Sequence, residues 1–254
     1  MKSYNNILYS PTRSEEHLYI NDNEYYRYMD NLYIPNVPSD LSLEDVISLS
    51  EIRIKLGKEI INYTYTKNTI KVLLNHINTI NKFRLLDFGC GNGILSEVIK
   101  EDSLFNISEL IGVDACEYAT MQALNTYEIN LNNDLNLGIS ASIFGNKRIN
   151  ISTSLFDNTR KLNLDDNYID GIVSSFVMHF RVYDNQFLEL FRVLKKGGVF
   201  VYNDYIYDKY PSHAKKTIRK LQDIGFTLLK EETEFFLEPK SNTLKPQRII
   251  IFTK

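Results

Sequence analysis

Glycine occupies every second position from Gly89 to Gly93, at the end of the segment Leu-Leu-Asp-Phe-Gly-Cys-Gly-Asn-Gly that spans residues 85–93. Two apolar residues lead into Asp87, and apolar residues then recur from Ile94 to Ile99 at the spacing of one helix face. The pattern predicts a strand, a tight turn and a helix. Glycines in such a turn leave room for a ligand against the backbone, and the amides that open the helix favour an anionic or acceptor-rich group. We therefore predict a nucleotide-like ligand here.

The spacing of the glycines distinguishes between classes of nucleotide-binding motif. A dinucleotide fingerprint would have its third glycine where Ile94 stands, and the Lys-Ser or Lys-Thr pair of a P-loop is absent after the turn. The segment instead resembles class I S-adenosylmethionine-dependent methyltransferases, whose D-x-G-x-G-x-G pattern is matched by Asp87, Gly89, Gly91 and Gly93. This resemblance implies S-adenosylmethionine as the cofactor, whose ammonium and sulfonium a carboxylate can balance. The alternative is a structural turn with incidental glycines.

Further cofactor ligands are expected at the ends of the next two strands. Residues 109–114 read as the second strand, and Asp114 ends it 25 positions beyond Gly89. An acidic residue at this place in nucleotide-binding α/β folds accepts hydrogen bonds from ribose hydroxyls, so we predict Asp114 as the ribose ligand. The resemblance implies that Asp157, 13 residues before Asp170, accepts from the adenine amino group. A loop carboxylate in solvent is the alternative for Asp157. Three further predicted cofactor contacts are next to these residues in the sequence: Cys90, Ala115 and Phe156.

Residues 166–180 form a second informative stretch. They resemble the methyltransferase pattern F-D-x-V-x-S-x-x-x-L-H-x, with Ile169 in place of Phe and Met178 in place of Leu. The predicted fourth strand lies beside the first, so Ser174 and Ser175 at its end face the methionine half of the cofactor. The resemblance places His179 near the methyl group, where it is the candidate general base. A histidine that orients the acceptor, or makes a packing contact, is the alternative.

The order of predicted elements gives the fold class. The resemblance covers residues 83–254 and implies an α/β, Rossmann-like sheet of seven mostly parallel strands, with a reversed last strand and helices on both faces. We expect an N-terminal helical lid in addition. Ser42 and Asp45 predict a capping box that opens a helix, and an apolar stripe from Ile70 to Ile80 predicts another. The expected division is 1–80, lid and helical segment, and 81–254, methyltransferase core, with residues 130–146 as an insertion.

Composition excludes several classes of function. The chain has 254 residues, a formal net charge of -3 and no long run of Lys or Arg, so DNA binding through phosphate neutralisation is disfavoured. Its apolar runs are far shorter than the ~20 residues of a membrane span, and no secretion signal opens it. We therefore expect a cytoplasmic protein without a membrane partner. The two cysteines suit reduced thiols better than a disulfide framework, and the four histidines lack metal-ligand spacing, which predicts no metal.

These observations favour a methyltransferase that acts on a small-molecule acceptor, with a place in specialised metabolite biosynthesis. The tyrosine-rich segment 1–38, which we interpret as an ordered lid, and the lack of basic character support that reading. A methyltransferase acting on a peptide, protein or RNA remains an alternative, as does a non-catalytic S-adenosylmethionine-binding protein. The sequence leaves open the acceptor atom, the use of a general base and the oligomeric state.

Overall fold

The computed structural model describes ten stretches of the chain, namely residues 2–10, 17–29, 31–35, 38–57, 63–77, 83–101, 106–132, 148–206, 212–238 and 242–254. Most of the predicted insertion 130–146 lies outside these stretches. None of the helices within them is long and apolar enough to cross a membrane.

The N-terminal segment is a small antiparallel sheet followed by two helices. Its strands are paired in the order β1-β2-β5-β4-β3, and their bounds are β1 Lys2–Tyr4, β2 Ile7–Tyr9, β3 His17–Ile20, β4 Asn23–Met29 and β5 Leu32–Pro35. Helices α1 (Leu43–Lys55) and α2 (Tyr63–Asn75) follow. The helices were predicted, whereas the sheet is a departure from the expected helical lid. Its turns use left-handed asparagines, which tolerate this backbone conformation better than most side chains, at Asn5 and Asn21.

The second sheet has seven strands in the order β11-β12-β10-β9-β6-β7-β8. Its strands are β6 Phe83–Phe88, β7 Ile107–Asp114, β8 Asn150–Leu155, β9 Ile169–Ser174, β10 Leu194–Tyr205, β11 Thr227–Glu238 and β12 Thr243–Thr253. Neighbours from β10 to β8 are parallel, while β12 runs antiparallel to β10 and β11. The intervening helices are α3 Leu95–Glu101, α4 Glu117–Leu131, α5 Asp184–Val193 and α6 His213–Ile224. This arrangement confirms the predicted Rossmann-like sheet with a reversed last strand.

Apolar packing holds the N-terminal sheet against the core. Ile7, Leu32 and Ile34 are fully buried in a cluster with Leu49 of α1 and Phe180 of the core. The predicted capping box at the start of α1 is confirmed, because the Ser42 hydroxyl accepts from the amide of Asp45 and the Asp45 carboxylate accepts from the Ser42 amide. The same carboxylate accepts from the Asn6 side chain at 3.1 and 3.2 Å. The orientation of α1 therefore depends on the sheet that precedes it.

Candidate cofactor and acceptor site

Two adjoining cavities lie at the carboxyl ends of the central parallel strands. The Asp87 cavity, named for its buried acid, has an empty volume of about 400 Å³ including space open to solvent. The Asp114 cavity has about 710 Å³ on the same measure. Both are lined by Gly89 and Gly91 of the glycine turn and by Ser50 and Arg53 of α1. The site is therefore shared between the core and the N-terminal segment.

The three glycines of the turn serve three different purposes. All have a positive φ, and Gly91 (φ +53°) has no atom within 4 Å of an added Cβ, because that position faces the open cleft. A Cβ on Gly89 would instead lie 2.1 Å from Cγ2 of Val177, and one on Gly93 would lie 3.0 Å from the Ala123 backbone of α4. Gly91 therefore keeps space free in the cleft, Gly89 lines both cavities while packing closely against Val177, and Gly93 permits close packing of the turn against α4. The predicted cofactor contacts of Gly89 and Gly93 stay predictions.

Asp114 joins the ends of the first two core strands. One carboxylate oxygen accepts from the Gly91 amide at 3.1 Å, and the other accepts from the Cys116 amide at 2.9 Å. Burial raises the pKa of Asp114, although these amides oppose the shift. Each oxygen keeps a further lone pair for a hydroxyl donor. Asp114 lines its cavity together with Ala115 and Phe156, so three of the predicted cofactor contacts lie together.

Asp87 is almost completely buried under the glycine turn. Its carboxylate accepts from the Tyr127 hydroxyl at 2.6 Å. Burial raises the pKa of Asp87 to about 7, a shift that the Tyr127 hydrogen bond opposes and the neighbouring Asp114 reinforces. The predicted neighbour Cys90 also lines the Asp87 cavity, and burial raises the pKa of its thiol. A buried carboxylate with a single side-chain donor favours a cationic ligand group.

Asp157 lies apart from the cavity-lining residues. Its carboxylate accepts from the amide and hydroxyl of Thr159, at 2.7 and 2.6 Å, and pairs with Arg160 at 3.2 Å. Partial burial opposes the charged form, but the Thr159 and Arg160 hydrogen bonds lower the pKa of Asp157. Phe156, one residue earlier, does line the Asp114 cavity. The predicted contact of Asp157 with adenine stays a prediction.

The two serines at the end of β9 have different surroundings, and the phenylalanine that follows them has a strained backbone. Ser174 is fully buried and donates to the Phe88 carbonyl at 2.9 Å, whereas Ser175 lines the Asp87 cavity. Phe176 adopts φ +59°, an unusual conformation for a non-glycine residue. Its amide donates to Oδ1 of Asn203 at 2.8 Å, which stabilises the turn. Phe176 is thereby presented to the Asp114 cavity.

His179 is buried in an aromatic enclosure rather than exposed in either cavity. Its ring stacks on Tyr28 of β4 with centroids 5.5 Å apart, and it packs against Phe180 at 4.0 Å and Tyr205 at 4.8 Å. Neither ring nitrogen has a hydrogen-bond partner among the described residues. Burial, with the positive fields of His213 and Arg53, lowers the pKa of His179 well below its usual value. The imidazole is therefore neutral at pH 7.

The N-terminal residues of the site were not predicted. Tyr28 of β4, with Val46, Ser50 and Arg53 of α1, lines the Asp114 cavity opposite the glycine turn. The capping box at Ser42 and Asp45 predicted the start of α1, whose apolar residues recur as a stripe, but no residue of this helix was assigned to the site. Nothing in the sequence marks Arg53 as a site residue, because an arginine beside such a stripe on a helix is ordinarily solvent-exposed.

Comparisons with known proteins agree with this arrangement. Residues 86–202 match the family model described as a methyltransferase domain. No curated protein matches the chain in sequence. The matched segment includes the glycine turn and the residues from Asp114 to His179, and it implies S-adenosylmethionine as the cofactor. The chain fits that cofactor, since Gly91 leaves the cleft open and a buried carboxylate faces it.

Solved structures share the fold at low sequence identity. One is a chain of the complex between the Haloferax volcanii Trm112 methyltransferase activator and a putative methyltransferase (12% identity, TM-score 0.56, covering 80% of this chain and 96% of that one). Another is the [4+2]-cyclase SpnF (17%, 0.53, 74% and 81%). A third is a putative S-adenosylmethionine-dependent methyltransferase from Methanococcus maripaludis (19%, 0.52, 82% and 93%). At these identities the likeness shows the fold alone.

A matched pair of glycine variants tests whether the cleft above Gly91 holds the cofactor. Gly91 and Gly197 both have positive φ and open space around an added Cβ, but Gly197 lies near the start of β10, outside both cavities. Each Gly→Ala change should cost about 1–2 kcal/mol of folding free energy through backbone strain. Only Gly91→Ala should also weaken S-adenosylmethionine binding in calorimetry, by at least about tenfold, because the methyl group occupies the ligand's space. Equal binding by both variants would contradict the assignment.

The raised pKa of Asp87 predicts a pH-dependent affinity. If the cofactor ammonium needs the carboxylate, affinity should increase about fivefold from pH 6 to pH 7, as the ionised fraction rises through a pKa of about 7. Binding at pH 6 should release close to one proton, measurable by calorimetry in buffers of different ionisation enthalpy. Asp87→Asn should abolish this release. Tyr127→Phe should move the increase to higher pH, because it removes the donor that lowers the Asp87 pKa. A flat profile without proton release would exclude this role.

Proposed function

We propose that this chain, whose residues 86–202 form a class I S-adenosylmethionine-dependent methyltransferase domain, transfers a methyl group to a nucleophile on a small molecule. The observation that carries the proposal is the lining of the Asp114 cavity. Its lining residues come from the core and from Tyr28 and α1, and they are mostly apolar or aromatic. A concave, mostly apolar cleft of this kind suits a small acceptor better than a polymer.

The proposed cofactor contacts are divided between the two cavities. Asp114 accepts from the ribose hydroxyls, with Ala115 and Phe156 beside the adenosine, and Asp87 faces the α-ammonium. Gly91 permits close approach to the backbone. When bound, S-adenosylmethionine would supply a methyl group on a sulfonium: an aligned nucleophile forms a bond to the methyl carbon, the carbon–sulfur bond breaks with its electron pair staying on sulfur, and S-adenosylhomocysteine is the leaving group. The chain's contribution is mainly alignment and exclusion of water, for which intramolecular models allow ~7–11 kcal/mol.

The acceptor is proposed to bind beside Phe176, Val177 and Phe180, at the end of the Asp114 cavity that Tyr28 covers. Aromatic walls favour a flat or apolar acceptor, and they exclude water from the transfer. His179 stacks on Tyr28 and does not line either cavity, so on this proposal the surrounding aromatic rings must move before its ring nitrogens can reach the acceptor. In its neutral form His179 can remove an acceptor proton, although its low pKa makes it hold that proton weakly.

Two other functions are tested by the same experiments. A polymer substrate is the alternative that the sequence leaves open. A reaction other than methyl transfer is the second, because one structural neighbour is a cyclase. The mostly apolar lining of the Asp114 cavity favours a small molecule over a polymer, and transfer of a labelled methyl group separates methyl transfer from a reaction such as cyclisation. A biosynthetic role and a cytoplasmic location remain predictions of the sequence.

An unbiased acceptor screen tests the function. The purified chain is incubated with S-adenosylmethionine carrying a deuterated methyl group and a cell extract separated into small metabolites, peptides and RNA, and products are identified by a mass gain that contains the label. At a cofactor concentration near the wild-type Kd, Gly197→Ala should form the same product at a similar rate, and Gly91→Ala should form much less, since only the latter narrows the cofactor cleft. Labelled peptide or RNA with unlabelled metabolites would favour the polymer alternative. Cofactor binding without any labelled product would favour the non-catalytic one.

His179→Ala separates general-base catalysis from positioning once an acceptor is known. If His179 removes a proton, kcat should fall by at least about 100-fold at unchanged cofactor affinity, and the remaining rate should rise with pH as the acceptor ionises in solution. A loss confined to KM without pH rescue would instead indicate acceptor orientation. His76→Ala is the matched control, since His76 pairs with Glu232 of β11 and lies outside both cavities. An equally small effect of both variants would leave His179 as a packing residue.

A further inference from the structure

We infer that Arg53 of α1 binds the α-carboxylate of S-adenosylmethionine, opposite Asp87. The inference deepens the proposed function through its cofactor and does not depend on turnover. Arg53 precedes the segment matched by the methyltransferase family model, which begins at residue 86. The inference therefore assigns a cofactor contact to the N-terminal segment of the chain.

The first observation is an unsatisfied donor. The Nε atom of Arg53 is buried and has no hydrogen-bond acceptor among the described residues. A guanidinium carries five N–H donors and remains charged at any ordinary pH. A buried donor of a charged group without a partner is costly, so folded proteins usually supply an acceptor. A ligand carboxylate in the cleft would supply the missing acceptor for Nε of Arg53.

The second observation is the place of Arg53 in the cleft. It is one of the residues that line both cavities, and in the Asp87 cavity it shares the wall with Asp87, Gly91 and Ser175. An amino acid end carries an ammonium and a carboxylate on one carbon, so its site needs an acidic and a basic group that face a common space. Asp87 supplies the acidic group. A guanidinium is the side chain best suited to a carboxylate, which it can hold through two parallel hydrogen bonds.

The nearby acid on the protein does not take this role. Arg53 is close enough to Asp114 for its charge to lower the pKa of that carboxyl. Both Asp114 oxygens, however, already accept backbone amides from Gly91 and Cys116, and Nε of Arg53 still lacks an acceptor. The charge of Arg53 also reaches Tyr28 and His179 on the acceptor side. An acidic acceptor is thus the competing ligand for Arg53, and the test distinguishes it.

The test compares two ligands that differ only in the carboxylate. Calorimetry measures the binding of S-adenosylmethionine and of decarboxylated S-adenosylmethionine to the wild-type chain, to Arg53→Gln and to Arg53→Lys. The wild type should bind S-adenosylmethionine about 10- to 100-fold more tightly than the decarboxylated form. Arg53→Gln should bind the two with similar affinity, and Arg53→Lys should retain part of the difference. Lys55→Gln is the matched control on the same helix, because its exposed ammonium pairs with Glu51 outside both cavities, and it should behave as the wild type.

Each other outcome overturns the inference. Equal affinity of the wild type for the two ligands would show that no group of the chain recognises the carboxylate, whether or not the variants fold. Arg53→Gln with an undiminished preference for S-adenosylmethionine would assign the carboxylate to another residue and leave Arg53 to the acceptor. An equal loss for both ligands would indicate a structural role. Absence of any binding by the wild type would overturn the cofactor assignment itself, whereas tight binding without turnover would overturn only the proposed reaction.

A second readout does not depend on affinity. Because Arg53 lies on α1, the carboxylate should connect that helix to the bound ligand. Hydrogen exchange of the amides from Leu43 to Lys55 should slow more with saturating S-adenosylmethionine than with the saturating decarboxylated form. Equal protection by both ligands would contradict the inference.

Discussion

Two carboxylates placed beside one tight turn, Asp87 and Asp114, are the constraint on which the site depends. Burial raises the pKa of both, and Asp114 raises that of Asp87 further. Few donors among the described residues reach these acids, namely the Tyr127 hydroxyl and the amides of Gly91, Ala115 and Cys116. Burial with so few donors leaves the ionised carboxylates poorly stabilised. The site therefore favours a ligand with cationic groups and hydroxyl donors, and it disfavours a phosphate. The absence of a phosphate-binding lysine after the turn is consistent with the same chemistry.

The positive charge that faces these acids comes from outside the core. Arg53 is carried by α1, and α1 is held by the N-terminal sheet through the cluster that contains Leu32, Leu49 and Phe180. Burying Leu32 and Leu49 contributes about 1.5–3 kcal/mol each to this packing. The small sheet contributes Tyr28 to the cleft and fixes the helix that contributes Arg53. The N-terminal segment contains none of the motif residues, yet its packing determines where Tyr28 and Arg53 line the cleft.

The sequence predicted the parts of the fold whose local chemistry is distinctive. The glycine turn, Asp114 at the end of β7 and the Ser42–Asp45 capping box are each defined by a few residues at fixed spacing, and the structure contains all three elements. Four of the five strands of the N-terminal sheet have only three or four residues, which is too short for a clear alternation of apolar and polar residues, and the sheet was missed.

The missed site residues have a different cause. Arg53 and Tyr28 lie at least 30 positions before Asp87 in the chain and reach the cleft only through tertiary packing. An arginine on an amphipathic helix looks solvent-exposed from its sequence, and nothing local indicates that its Nε is buried. The motif residues, by contrast, act where the chain leaves each strand, so their place follows from the topology alone. Sequence reasoning therefore located the cofactor side of the cleft better than its cover.

On the proposed binding mode, the acceptor would lie between a wall fixed by hydrogen bonds and a cover that belongs to another sheet. Phe176 has a left-handed backbone that costs roughly 1–3 kcal/mol, and it is held by Asn203, whose side chain donates to Gln247. Gln247 in turn donates to the Tyr65 hydroxyl of α2, so strands β9, β10 and β12 and a helix together fix this wall. Tyr28, which covers the wall, belongs to a different sheet. Because Tyr28 belongs to the N-terminal sheet, whereas Asp87 and Asp114 end core strands, a substitution of Tyr28 should alter which acceptor fits while the hydrogen bonds of Asp87 and Asp114 stay the same.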